Sequence, residues 1–197
     1  MLTIPAYALK AALTHAAVKD VRYYLQGVHL EATQAGDLHI VSTDGHRMFV
    51  GRLMHAAQDA PEFTRLTIPL DVIKRAPKTG ALALTQNGGL WQLGAEVFKP
   101  VDGTFPDWRR VVPASQEFEP GEEPPQAFNF EYLADAQAAL RTWSNAKHAT
   151  VTRRDYRFAS VVVSGDPTAF CIVMPVRATE KAPLVFADPF KPAAARQ

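Results

Sequence analysis

Cysteine is nearly absent. The 197 residues include one, Cys171, inside the apolar run AFCIVMPV, so no disulfide framework can form within the chain, and a reduced, buried thiol fits a cytoplasmic protein. Charge of one sign is also missing: 21 Lys and Arg against 20 Asp and Glu leave a net charge of +1. Any nucleic-acid role must then come from where the charges sit rather than from their excess. No apolar run approaches the length that crosses a membrane. The start, MLTIPAYALKAAL, lacks the basic opening and continuous apolar stretch of a signal peptide. Metal and catalytic signatures are missing too. There is no His-x-x-x-His or Cys-x-x-Cys pair, no Gly-x-Ser-x-Gly elbow and no phosphate-cradling glycine loop. His15, His39, His55 and His148 are scattered. The expectation is a protein that is not an enzyme and holds no metal or cofactor.

What is present is the composition of an ordinary globular domain, 47% hydrophobic and 21% charged, and an internal repeat. LTIPAYALKAA opens at Leu2 and LTIPLDVIKRA returns at Leu66. Both read as a short strand ending at proline, followed by a helix that the proline begins. Three β-rich runs follow each: VRYYLQGVHLEA, DLHIVST and HRMFVGRL, then GALALTQ, GLWQLGA and EVFKPV. A fainter third copy begins about sixty residues later, a period suited to a repeated supersecondary unit. It holds AFNFEYLADAQAALRTW, HATVTRRD, RFASVVVSG and TAFCIVMPV. The chain reads as three βαβββ units, an α+β protein with helices on one side of antiparallel sheets.

The turns agree with this. Asp44-Gly45, Asn87-Gly88-Gly89 and Ser164-Gly165-Asp166-Pro167 each separate two strand-like runs, and such pairs supply the positive φ of tight hairpins. The stretch TDGHR, Thr43 to Arg47, places an acid, a base and a cation together; it reads as an active site, a metal site or a turn. Local chemistry favours a type I′ hairpin.

Four motifs, KDVRYYLQGVHLE, STDGHRM, VDGTFPDWRRVVP and CIVMPVR, occur in the order found in the bacterial DNA polymerase III β subunit, the replicative sliding clamp, and the chain resembles that family across most of Met1 to Arg177. The resemblance implies a DNA clamp fold, in which six similar domains of two βαβββ units each form a ring with helices around duplex DNA. Residues 1–113 resemble a complete middle domain of the clamp. Residues 128–178 resemble the second half of its last domain. Between them, 114–127 is rich in Pro and Glu and reads as a linker, and 179–197 forms a C-terminal tail beyond the usual family end.

The family's peptide-binding groove lies between the middle and last domains. Carried over by motif, its walls are Leu25, Thr43, Gly45, His46, Arg47 and Met48; Pro106, Arg110 and Val111; and Ile172, Val173, Met174, Pro175, Val176 and Arg177. The resemblance thus turns the TDGHR corner into a pocket rim. Met48 and Met174 suit a groove that accepts varied peptides, because thioethers repack readily. For a sequence-nonspecific duplex DNA surface, the candidates are Lys10, Lys19, Arg22, Tyr23 and Tyr24, then Lys74, Arg75 and Lys78, then Arg141 and Lys147. The first helix carries His15 with Lys10 and Lys19.

The implied function is a minimal sliding clamp, a processivity factor that encircles DNA and binds a polymerase and a clamp loader through short linear motifs. A unit without a mate leaves an open sheet edge and an uncovered helix face, which predicts self-association through an isologous contact. Twelve units per ring and three per chain predict a homotetramer. The alternative is a non-encircling regulator that competes with a host clamp for its peptides. The tail's APLVF faintly resembles the Leu/Phe-ending peptides that enter clamp pockets, and it could occupy a groove itself.

Overall fold

The computed structural model describes residues 1–58, 65–112, 127–154 and 160–176, with side chains left aside at 150–165. The linker and tail expectations, and Arg177, therefore lie outside the described residues, apart from Ala127 at the linker's end.

The first unit runs β1 (Leu2–Pro5), α1 (Ala6–Ala12), β2 (Gly27–Ala32), β3 (Leu38–Thr43) and β4 (Arg47–Leu53); the second runs β5 (Arg65–Pro69), α2 (Leu70–Arg75), β6 (Ala81–Asn87), β7 (Leu90–Leu93) and β8 (Glu96–Phe98). The third contains α3 (Phe130–Ser144), β9 (Thr150–Arg154), β10 (Ser160–Asp166) and β11 (Ala169–Val173). Pro5 and Pro69 sit at the strand-to-helix corners with φ of −60° and −57°. That is the angle the pyrrolidine ring imposes, so each proline ends its strand and sets up the helix. α3 starts instead from Asn129, whose side chain accepts from the Glu131 N–H at 2.8 Å, and stops at Asn145 in the left-handed region, φ 56°.

Two antiparallel sheets result, ordered β1-β6-β7-β8 and β5-β2-β3-β4-β11-β10-β9. The first two units exchange their opening strands: β1 joins the second unit's sheet and β5 joins the first unit's. The third unit is attached through β11, which pairs with β4 from Ala169↔Gly51 to Val173↔Arg47. The helices pack on the strands, α1 on β3 and β4, α2 on β5 and β8, and α3 on β4, β10 and β11, and α1 also meets both α2 and α3. The main core is built from alternating strand residues (Ile4, Val28, Leu30, Leu38, Ile40, Phe49, Ile68) and from the helix positions Leu9, Ile73, Leu140 and Trp143. Trp143 locks α3 onto β4. Its ring lies over Gly51, where an added Cβ would come within 2.5 Å, and its indole N–H donates to Thr168 Oγ1 at 2.9 Å. Among the described residues no helix is long and apolar enough to cross a membrane.

Three expectations are corrected here. Among the described residues the third unit shows no opening strand: Ala127 makes a single bridge with Val176, whereas β1 and β5 each lie along a strand of the other unit. Asp44-Gly45 is not a type I′ turn. Thr43 pairs with Met48 across a four-residue loop, and Gly45 alone within it has positive φ, 87°. The Asp44 carboxylate accepts from the His46 and Arg47 N–H groups at 2.8 and 3.0 Å and organises the loop instead. Gly88-Gly89, both at positive φ between paired Asn87 and Leu90, does have the two-residue form expected of Asn-Gly-Gly. Finally, α1 ends at Ala12, and His15 is 0% exposed in the short turn that follows, so it faces no ligand.

Candidate functional site

On the outer face of the seven-stranded sheet, three neighbouring strands lay down one apolar floor. Met48 on β4 stands opposite both Thr43 on β3 and Ile172 on β11. The segment after β8 folds back over this face, and Phe105 and Trp108 are buried there with Leu25, Val41, Met48, Val50 and Ile172. Between that segment and the β3–β4 loop a cavity of about 230 Å³ remains open, walled by Leu25, Thr43, Gly45, His46, Arg47, Met48, Pro106, Val111, Ile172 and Met174, with Arg22, Tyr24, Phe105, Asp107 and Trp108.

The rim is held in place from several sides. Thr43 Oγ1 donates to the Arg47 carbonyl at 2.8 Å and accepts from the Gly45 N–H at 3.0 Å. Arg47 Nε donates to Asp44 at 3.0 Å, another nitrogen pairs with Asp135 on α3, and the guanidinium lies 4.5 Å from the Tyr132 ring centre. His46 stacks on the same ring, and its carbonyl accepts from the Met174 N–H at 2.9 Å. Arg22 sits under the loop: it donates to the Asp44 carbonyl at 2.8 Å and is paired with Asp20, whose carboxyl its hydrogen bonds hold down to about 2. A Cβ at position 45 would lie 2.5 Å from Arg22 Nη1 and would also face the positive φ, so glycine is required.

Glu31 fastens the opposite wall. Its carboxylate, 8% exposed, accepts from Trp108 Nε1 at 3.2 Å, from Arg109 at 3.0 Å and from Arg65 at 3.3 Å. Burial pushes this carboxyl up, but the hydrogen bonds from Arg109 and Trp108 and the charges of Arg109 and Arg65 outweigh it and leave it below its usual range. His29, stacked 4.4 Å from Phe105 and hydrogen bonded to Thr67, is driven by burial to about 4 and stays neutral.

Of the pocket residues expected from sequence, the structure brings together Leu25, Thr43, Gly45, His46, Arg47, Met48, Pro106, Val111, Ile172 and Met174. Val173 does not join them. Strand alternation points it to the opposite face, where it is 0% exposed in the main core. Arg110 is exposed outside the cavity walls. Pro175 and Val176 pass beyond it, with the Val176 N–H donating to the Ala127 carbonyl at 2.8 Å. Sequence reading missed Phe105, Trp108 and Tyr132; the first two lie within the recognised VDGTFPDWRRVVP run, so their apolar bulk was a usable signal.

The candidate DNA residues divide differently. Lys10 is turned inward: its ammonium donates to the Ile73 and Ala76 carbonyls, the latter at 3.1 Å, at the end of α2. Burial and the charge of Lys78 lower its pKa. Arg75 is paired with Asp71 and Glu96. Arg22 and Tyr24 belong to the pocket, whereas Tyr23 is 55% exposed beside it. Lys19, Lys74, Lys78, Arg141 and Lys147 are exposed, and none is ion-paired to a described residue.

A pair of strand-exchanged units with helices packed on their strands and against one another, and a third unit joined edge to edge through β4 and β11, defines a clamp-type module. A model of the DNA polymerase III beta subunit central domain matches residues 6–107, over half of the chain, and the chain belongs to that family. Among curated proteins, the beta sliding clamp of Proteus mirabilis is 34% identical over 125 residues, covering 56% of this chain and 33% of the relative. That of Escherichia coli K12 is 38% identical over 103 residues, covering 48% and 28%. The chain thus spans a third or less of the length of the curated relatives it matches. Two solved structures share the fold over 90% of this chain. They are the Pseudomonas aeruginosa DNA polymerase III subunit beta (TM-score 0.68, 19% identity, 67% of that chain) and the C. crescentus beta sliding clamp (TM-score 0.65, 18% identity, 65% of that chain).

Proposed function

We propose that this chain is a minimal β-type sliding clamp: a protomer that joins copies of itself around duplex DNA and tethers a polymerase, a clamp loader or repair proteins by their short linear motifs. The pocket floor carries the reading. Met48 and Ile172 come from different units yet stand side by side across the β4–β11 pairing, so the third unit completes a slot that the first begins. An apolar slot with a charged rim suits a peptide that buries one or two apolar side chains and leaves its flanks in water. Such tethering raises the local concentration of an enzyme without any chemistry of its own. The sparse exposed lysines suit a surface that slides on phosphates and reads no bases.

Four chains supply twelve units. β4 and β11, each the last strand of its unit, pair with each other, while β8, the last strand of the second unit, is a sheet edge. A four-chain ring then uses two kinds of two-fold contact. The inward turn of Lys10 and the pairing of Arg75 favour a second reading, a non-encircling module that competes with a host clamp for peptides. Retention on closed circular duplex separates the two. The clamp stays on the circle and runs off after linearisation; the regulator is lost from both.

A further inference from the structure

The first two units provide an internal standard for what a unit of this fold buries when it has a mate. Aligned at their helix starts (Pro5, Pro69 and Asn129 at the caps), the first helical residues are Ala6, Leu70 and Phe130. Ala6 is 0% exposed and Leu70 9%, but Phe130 is 85% exposed. The residues before the caps are Ile4 and Ile68, both 0% exposed, and Phe128, which is half-buried. Three residues into the helices, Leu9 and Ile73 are fully buried while Leu133 is not. The strands show the same gap. β2 lies between β5 and β3, and β6 lies between β1 and β7, each receiving the opening strand of the other unit; β9, their counterpart, pairs among the described residues with β10 alone. A groove of about 280 Å³, lined by Leu133, Gln137, Leu140, Lys147 and His148, runs beside α3 on this side.

We infer that the third unit completes itself with the third unit of a second copy. Ala127–Asn129 of each chain lie along the other's β9, as β1 and β5 lie along β6 and β2, and Phe130 and Leu133 become buried between the two α3 helices. The contact is isologous, because the same two surfaces, the Ala127–Asn129 segment and the β9 edge, meet from both chains. Phe128 and Phe130 supply the apolar area that such an exchange needs. This deepens the homo-oligomeric reading above by naming its surface, and it survives if the ring does not, because a plain dimer satisfies it.

The test is the mass of the full chain in solution by analytical ultracentrifugation, for the wild type and for Phe130→Glu. Hydrogen exchange at the amides of Thr150–Arg154 is followed at low and high protein concentration. Phe130 is exposed in the single chain, so the substitution leaves the protomer folded; Phe130→Ser serves as a milder variant. The wild type is expected as an even multimer, and the variant at half its mass or less, with dissociation at least about 100-fold stronger, since each two-fold contact loses two buried rings. The β9 amides are protected only where the wild type assembles. A wild type monomeric at tens of micromolar overturns the inference. So does an assembly that Phe130→Glu leaves intact, whether its partner is another part of this chain or a different protein.

Discussion

Acid should loosen this molecule, and a separable share of that loss comes from His15. It is 0% exposed in the turn after α1, its Nδ1 lies 2.9 Å from Thr14 Oγ1, and its Nε2 has no partner among the described residues. Burial and then the Arg47 charge hold its pKa down from 6.5 to about 4, against the opposing pull of Asp135 and Asp44. In the unfolded chain the ring takes a proton as pH falls below 6.5, whereas in the folded chain it does so only near 4. The folded state therefore keeps this contribution above about pH 6.5, loses it progressively between 6.5 and 4, and has lost it all below 4. The gap corresponds to about 3 kcal/mol at 1.36 kcal/mol per pKa unit, most of it gone by pH 4.5. Urea unfolding of wild type and His15→Leu at pH 7 and 4.5, at one chain concentration, isolates it. His29 titrates alike in both and cancels. The wild type should lose roughly 2–3 kcal/mol more than the variant over that interval. Parallel losses would refute the reasoning.

Gly51→Ala should drive a methyl into the Trp143 ring and cost about 1–3 kcal/mol by overpacking, read as a fall in Tm; an unchanged Tm would mean that α3 does not dock on β4 as described. Lys74→Ala combined with Lys78→Ala should weaken duplex binding and flatten its salt dependence, while Arg75→Ala, already paired within the chain, should change neither by comparison. Lys10→Met should lower stability rather than DNA affinity, as a thermal melt and a duplex titration together will show. Glu31→Gln should loosen the wall carrying Trp108 and weaken peptide binding with little loss of helix content, read by anisotropy and circular dichroism.

Most of the frame was legible because it is written locally. Proline at a strand end followed by Ala or Leu fixes each strand–helix corner, and the recurrence of LTIP exposes the repeat. Ten of the expected pocket residues do converge, since the motifs that carry them lie on neighbouring strands or in the segments that fold over those strands. What was not legible depends on the third dimension. The run from Ile172 to Arg177 reads as one wall, but alternation sends Ile172 to the pocket and Val173 to the core. Lys10 looks like a free cation until the end of α2 arrives beside it with open carbonyls. Arg22 and Tyr24 look like one basic, aromatic loop with Tyr23, yet the β3–β4 loop draws the two of them under the pocket. The turn at Asp44 was misread because its side chain, which caps two N–H groups, replaces the backbone geometry that Asp-Gly suggests.

The most direct test is the affinity of the intact chain for a fluorescent peptide ending in a Leu/Phe pair, measured by anisotropy beside Met174→Glu, which places a charge in the slot at a position already 42% exposed. The account predicts saturable binding to the wild type and a loss of at least about 10-fold in the variant. Equal binding by the two proteins, or none by either, would contradict it.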